Sequence, residues 1–226
     1  MKHKVKSMST KTMVLGAILT ALVVILQFLG AFIRFGPFSI SLVLIPIVIG
    51  AATCGVGVST WLGFVFGVVV LLSGDAAVFL VFDVFGTVLT VLLKGTAAGL
   101  AAGVVYRLVT AALNKLSCMR VSQMKHHFGL GDCCENSVLS YLSRNNKYGA
   151  VLVAAVICPV VNTGVFLIGC RLFFMEPVTE WSAVAGFGGS VGKYMILGLV
   201  GGNFLFEMLF NVILSPVIVR IVNARK

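Results

Sequence analysis

The chain has 226 residues, of which 59% are hydrophobic and 11% are charged, and its mean hydropathy is +1.10. A soluble domain of this length cannot hide so much apolar surface in one core, so the composition calls for lipid as the surrounding solvent. The formal net charge of +10 does not imply nucleic acid, because the basic residues flank apolar runs in the pattern that sets membrane topology.

A spanning helix needs roughly 20 apolar residues. The first run covers about 12–33. It follows a basic tail but is too long for the apolar core of a secretory signal, so no cleavable leader is expected. An interruption at 34–37 leads to an apolar stretch nearly twice a bilayer thick, which must turn. Its break is expected at 50–57 (GAATCGVG), giving spans at about 38–54 and 57–73. A loop at 74–83 carries Asp75 and Asp83, with 76–86 readable as a re-entrant loop or an early start to the next span. Further spans are expected at about 86–113, 148–173 and 191–219. Residues 114–147 are read as a polar cytoplasmic loop.

Lys2, Lys4, Lys6 and Lys11 precede the first span. Lys115, Arg120, Lys125, Arg144 and Lys147 fill the central loop, and Arg220, Arg225 and Lys226 end the chain. The remaining loops hold Arg34 and Arg171 with Asp75, Asp83, Glu176 and Glu180. The excess of Lys and Arg on cytoplasmic segments then puts both termini and the central loop inside. The fold class expected is an all-α, polytopic membrane protein with six transmembrane helices and cytoplasmic N and C termini.

Cys54, Cys158 and Cys170 lie in apolar runs, where a thiol behaves as a small hydrophobe. Cys118, Cys133 and Cys134 share the central loop with His126 and His127. Adjacent Cys-Cys and His-His lack the usual ligand spacing, so neither a metal site nor a cofactor is expected. Gly188-Gly189-Ser190-Val191-Gly192 matches the G-x-S-x-G of serine hydrolases. That chemistry needs a strand-to-helix elbow and a histidine within reach, and here the context is helical with the histidines expected across the membrane. Gly192-Lys193 is not a phosphate-binding loop, since Phe187 stands at the upstream glycine position and Tyr194 replaces Ser or Thr. The chain carries no visible engine and is read as no enzyme.

Ionisable groups inside spans are costly and point to function by default. Lys94 falls near the middle of the fourth span and Glu207 near the middle of the sixth. Asn203, Glu207 and Asn211 are spaced four apart and share one helix face, and Asn162 follows Pro159 in the fifth span. Two readings stand side by side. Either Lys94 and Glu207 neutralise each other while the asparagines join helices, or these groups converge on a cavity for a polar solute. Ala17 and Ala21 make a flat small-residue face on the first span, suited to helix packing.

The chain resembles the substrate-binding S components of energy-coupling factor (ECF) vitamin transporters. The resemblance is carried by the first span with its Ala17-xxx-Ala21 face and by the tract at 35–74. It is carried further by LLKGTAAGLAAGVVYRL, CPVVNTGVFLIG and NFLFEMLFNVILSPVIVRI, in that order. It implies a subunit of the plasma membrane that captures a vitamin, with an ECF coupling transmembrane protein and two cytoplasmic ATPase subunits as partners. It also implies that Ala17 and Ala21 face the coupling protein. By the same resemblance the loop at 35–39, including Phe38, lines the pocket with Lys94, Asn162, Asn203 and Glu207. Lys94 favours a carboxylate or phosphate on the solute unless Glu207 cancels its charge, which suits pantothenate or folate better than riboflavin. The central loop is longer and richer in Cys and His than the resemblance implies. The alternative function is a stand-alone ion-coupled secondary transporter, with Lys94 and Glu207 as the relay.

Overall fold

The computed structural model describes residues 9–31, 34–35, 38–39, 42–128, 132–188 and 190–224. Among these, the side chains of 34–35, 38–39, 125–128, 132–136, 222 and 224 lie outside the description. The chain is almost entirely helical. Helix α1 (Thr10–Ala31) is apolar all round, as a helix bathed in lipid is. One face, Gly16, Leu19, Val23, Gln27 and Gly30, is buried. It packs on α2 (Leu44–Thr53) and α3 (Val56–Leu72). Between α1 and α2, two short strands, β1 (Arg34–Phe35) and β2 (Phe38–Ser39), pair antiparallel with Phe35 opposite Phe38.

The turn expected at 50–57 falls at Cys54 and Gly55. Gly55 caps α3 with φ of 93°, a left-handed conformation that side chains disfavour. Helices α3 and α5 (Val84–Phe128) then run in close contact. The approach is possible because both faces lack Cβ atoms. A methyl group on Gly63 would collide with the Gly95 carbonyl, one on Gly95 with the Gly63 carbonyl, and one on Gly99 with the Ser59 carbonyl. This is the small-residue packing on which membrane helices depend, since lipid supplies no hydrophobic drive between them.

The region 74–83 is a turn followed by one helical turn, α4 (Ala77–Leu80), and does not extend the next span. The segment expected to be a loop, 114–147, is mostly helical. Helix α5 continues to Phe128 and α6 (Asp132–Phe173) begins only four residues later, so the two form a long hairpin. Asn146 Nδ2 donates to Asn114 Oδ1 and Ser117 Oγ at 2.9 Å each, which clips the hairpin together beyond the apolar part. The polar composition of this stretch reflects solvent around the helices rather than absence of structure.

Helix α7 (Met175–Val184) follows α6 and buries Pro177, Val178 and Ser182. A last helical run comprises α8 (Val191–Lys193), a π-helical segment (Tyr194–Gly201) and α9 (Gly202–Ala224). Four helical stretches, Thr10–Ala31, Val84–Met124, Ser137–Phe173 and Val191–Ile221, are long and apolar enough to cross a bilayer. The second and third expected spans are shorter as helices, at 10 and 17 residues. They form much of the buried core through Leu44, Ile47, Val48, Leu62 and Phe66.

Candidate functional site

A cavity of about 70 Å³, part of it open to the outside, lies between α1, α3, α5, α6 and the last helical run. It sits at the end of the bundle where α1 finishes and α5 starts. The polar lining is assembled from several elements. Gln27 comes from α1, Asp75 from the turn after α3, Lys94 from α5, Asn162 from α6, and Asn203 and Glu207 from α9. Phe66, Phe79 and Phe166 supply the aromatic walls.

The Lys94 ammonium stands over two rings, 5.1 Å from the Phe166 centroid and 5.8 Å from that of Phe66. A ring face attracts a cation and partly replaces its lost hydration. Glu207 is 2% exposed. Its Oε1 accepts a hydrogen bond from Asn203 Nδ2 at 3.1 Å, and Asn162 lines the same cavity from α6. Its Oε2 has no hydrogen-bond partner, and neither has the Oδ1 of Asn162 or of Asn203. At the rim, Gln27 Nε2 donates to Asp75 Oδ2 and reaches Ser73 Oγ at 3.5 Å.

The local backbone helps to open the site. The π-helical segment ends one residue before Gly202, so the widened turns supply Leu199 and Val200 to the cavity, with Asn203 just beyond. A π segment within a helix carries a turn that does not close on the α ladder, a feature frequent at functional sites. In α6, Pro159 removes one backbone donor three residues before Asn162. An aromatic cluster adjoins the cavity through Phe79 and Phe166. Phe79 meets Phe174 at 5.0 Å and both Phe166 and Trp181 at 5.7 Å between ring centres, and Phe82 meets Trp181 at 5.8 Å.

Lys94, Asn162, Asn203 and Glu207, singled out by the sequence, therefore line one cavity. The Phe38 side chain lies outside the described residues. Asn211 shares the buried stripe of Asn203 and Glu207 but not the cavity lining. Ala17 and Ala21 are exposed on α1, on the side opposite its buried face, beside Met13, Val14, Ile18 and Ile25. Of the polar lining residues, Gln27, Asp75 and Thr163 are not among those the sequence singles out. Gln27 does carry a signal, as an amide inside an apolar run. Asp75 looks like an ordinary loop acid, and only the turn after α3 brings it over the cavity.

Ser190 caps the last helical run through its carbonyl, which accepts from Tyr194 N at 3.1 Å. It lies near Phe187 and Tyr194, in the same cluster as Phe79. His126 and His127 sit near the far end of α5, roughly 60 Å along the axis from Val84 at 1.5 Å per residue. Among the described residues no cluster of potential metal ligands occurs. The side chains of His126, His127, Cys133 and Cys134 lie outside the description.

Comparison with curated proteins and with solved structures gives no match. The sequence model of one family, ECF transporter, substrate-specific component, matches residues 11–219, from the start of α1 to near the end of α9. That stretch includes every residue of the cavity, and the chain belongs to the family of ECF transporter substrate-specific components.

Proposed function

We propose that this chain is the solute-capturing subunit of an ECF-type ABC importer, taking up a water-soluble vitamin or related small molecule of the pantothenate, folate or riboflavin class. Energy would come from partner subunits, a coupling transmembrane protein and two cytoplasmic ATPases. The observation that carries the reading is the cavity itself. Five separate elements converge on it, its walls are aromatic, and its polar groups are few and fixed, as expected of a small-molecule site. In this reading α2 and α3 count as spans, giving six, and the basic segments place both termini and the end of the α5–α6 hairpin in the cytoplasm. The cavity then opens to the exterior of the plasma membrane.

The test is binding and uptake measured separately. The purified chain should bind a vitamin from a panel by calorimetry. Vesicles should concentrate that vitamin only when the coupling protein and ATPases are present with ATP. Accumulation by the chain alone under an imposed ion gradient would instead establish a secondary transporter.

A further inference from the structure

Three oxygen atoms in the cavity are buried and lack a hydrogen-bond partner: Glu207 Oε2, Asn162 Oδ1 and Asn203 Oδ1. All three are acceptors. For Asn203 that identity is fixed by its hydrogen bond to Glu207 rather than by a free choice of amide orientation. A carboxylate only accepts, so Asn203 must turn its NH2 towards Glu207 Oε1, which leaves its oxygen pointing elsewhere. Asn162 on α6 also leaves its side-chain oxygen unmatched. Buried acceptors without donors cost free energy, and most such groups in native proteins are satisfied. Here the three residues that carry them come from two helices and all line the same cavity.

The charges lean the same way. Among the described lining residues, two carboxyl groups, Asp75 and Glu207, face one ammonium, Lys94. Asp75 is engaged by Gln27 at the rim. Glu207 has an unmatched oxygen in the interior. Lys94 is the complementary donor, held between the Phe66 and Phe166 rings.

We infer that the solute carries a donor-rich nitrogen group, an ammonium, an amidinium or an amino-substituted ring, which docks on Glu207 Oε2, Asn162 Oδ1 and Asn203 Oδ1. Lys94 takes an acceptor elsewhere on the same molecule. Solutes whose strongest polar group is a lone carboxylate are discriminated against, because they leave the three oxygens unmatched and add a second negative charge beside Glu207. This runs against the sequence reading, in which Lys94 by itself favours an anionic solute, and it sets pantothenate aside among the solute classes proposed above. It rests on the cavity being the solute site.

The experiment is a binding comparison on the purified full chain in detergent, by calorimetry and thermal shift. Thiamine and pyridoxamine serve as nitrogen-donor probes, and pantothenate and nicotinate as carboxylate probes. At least one nitrogen-donor probe should bind about 100-fold tighter than either carboxylate. Glu207→Gln should cut that affinity by about 10- to 100-fold, the range for a hydrogen bond to a charged group. The ranking on the unaltered chain does not depend on any variant folding. The inference is overturned if a carboxylate probe binds tightest, if no probe binds, or if a folded Glu207→Gln keeps the original ranking and affinity. The S-component reading is judged independently, by co-purification of the chain with a coupling protein and its ATPases.

Discussion

Asn203 donates its amide to Glu207 Oε1 at 3.1 Å, one turn away on the same helix and on the wall of the cavity. The bond holds the carboxyl group in one orientation and leaves Oε2 without a hydrogen-bond partner. Asn203→Ala should therefore weaken solute binding about tenfold, the lower end for a hydrogen bond to a charged group. Asn211, four residues further along, is buried but off the lining. Asn211→Ala should leave the dissociation constant within about twofold, since a residue outside the site changes affinity little. Calorimetry on the two purified variants separates them. Equal losses would mean that the whole stripe acts through helix packing.

The seam between α3 and α5 is the second vulnerable feature. Gly63 and Gly99 face backbone carbonyls that cannot rotate aside. Gly63→Val or Gly99→Val should cost about 3 kcal/mol or more, as overpacking does. That corresponds to a fall in melting temperature of roughly 6 to 12 °C for a chain of this size. Gly164 lies on a helix with open space around its Cβ position. Gly164→Ala should hold or raise the melting temperature, because alanine is the better helix former by about 1 kcal/mol. Melting followed by tryptophan emission in detergent reads all three.

Much of this is legible in the amino-acid sequence. The apolar run lengths locate the long helices, and the glycine tract locates the turn at Gly55, because both signals are local. The intramembrane charges and amides identify most of the cavity's polar lining, since burying such groups in a span is costly and points to function by default. The α5–α6 hairpin reads as a loop because solvated helices lose the apolar run by which spans are found. Asp75 gives no such signal, because its role depends on how the turn after α3 folds back over α1, a long-range fact. The π-helical turns leave no periodicity signal of their own.

Ala17 and Ala21 form a small-residue patch exposed on the outer side of α1, away from the cavity-facing Gln27. If a coupling protein packs there, an indole cannot be accommodated. Ala17→Trp or Ala21→Trp should leave solute binding within about twofold. It should lower ATP-driven uptake about tenfold, the equivalent of a modest overpacking penalty. Vesicle uptake and calorimetry on the same preparations provide the comparison. Parallel loss of both would assign the patch to internal folding instead.

Trp181 on α7 packs edge-on against Phe79 and Phe82, and Phe79 lines the cavity. The other tryptophan, Trp61, is 54% exposed on α3 and not part of the lining. In a Trp61→Phe background all tryptophan emission comes from the cavity's aromatic cap. A solute docking beneath Phe79 should then change that emission saturably, with the same dissociation constant as calorimetry. Removing the cap tests its role directly. Each edge-on aromatic pair contributes about 0.5–1.5 kcal/mol. Trp181→Ala should thus loosen α7 and speed solute release by about tenfold, with little change in the association rate. Stopped-flow displacement measures the release rate, with the bound solute itself or a labelled competitor as the reporter. A solute that perturbs Trp61 but not Trp181 would have to sit outside this cavity, whereas a faster release confined to the Trp181 variant ties solute retention to the aromatic cap at the end of the bundle.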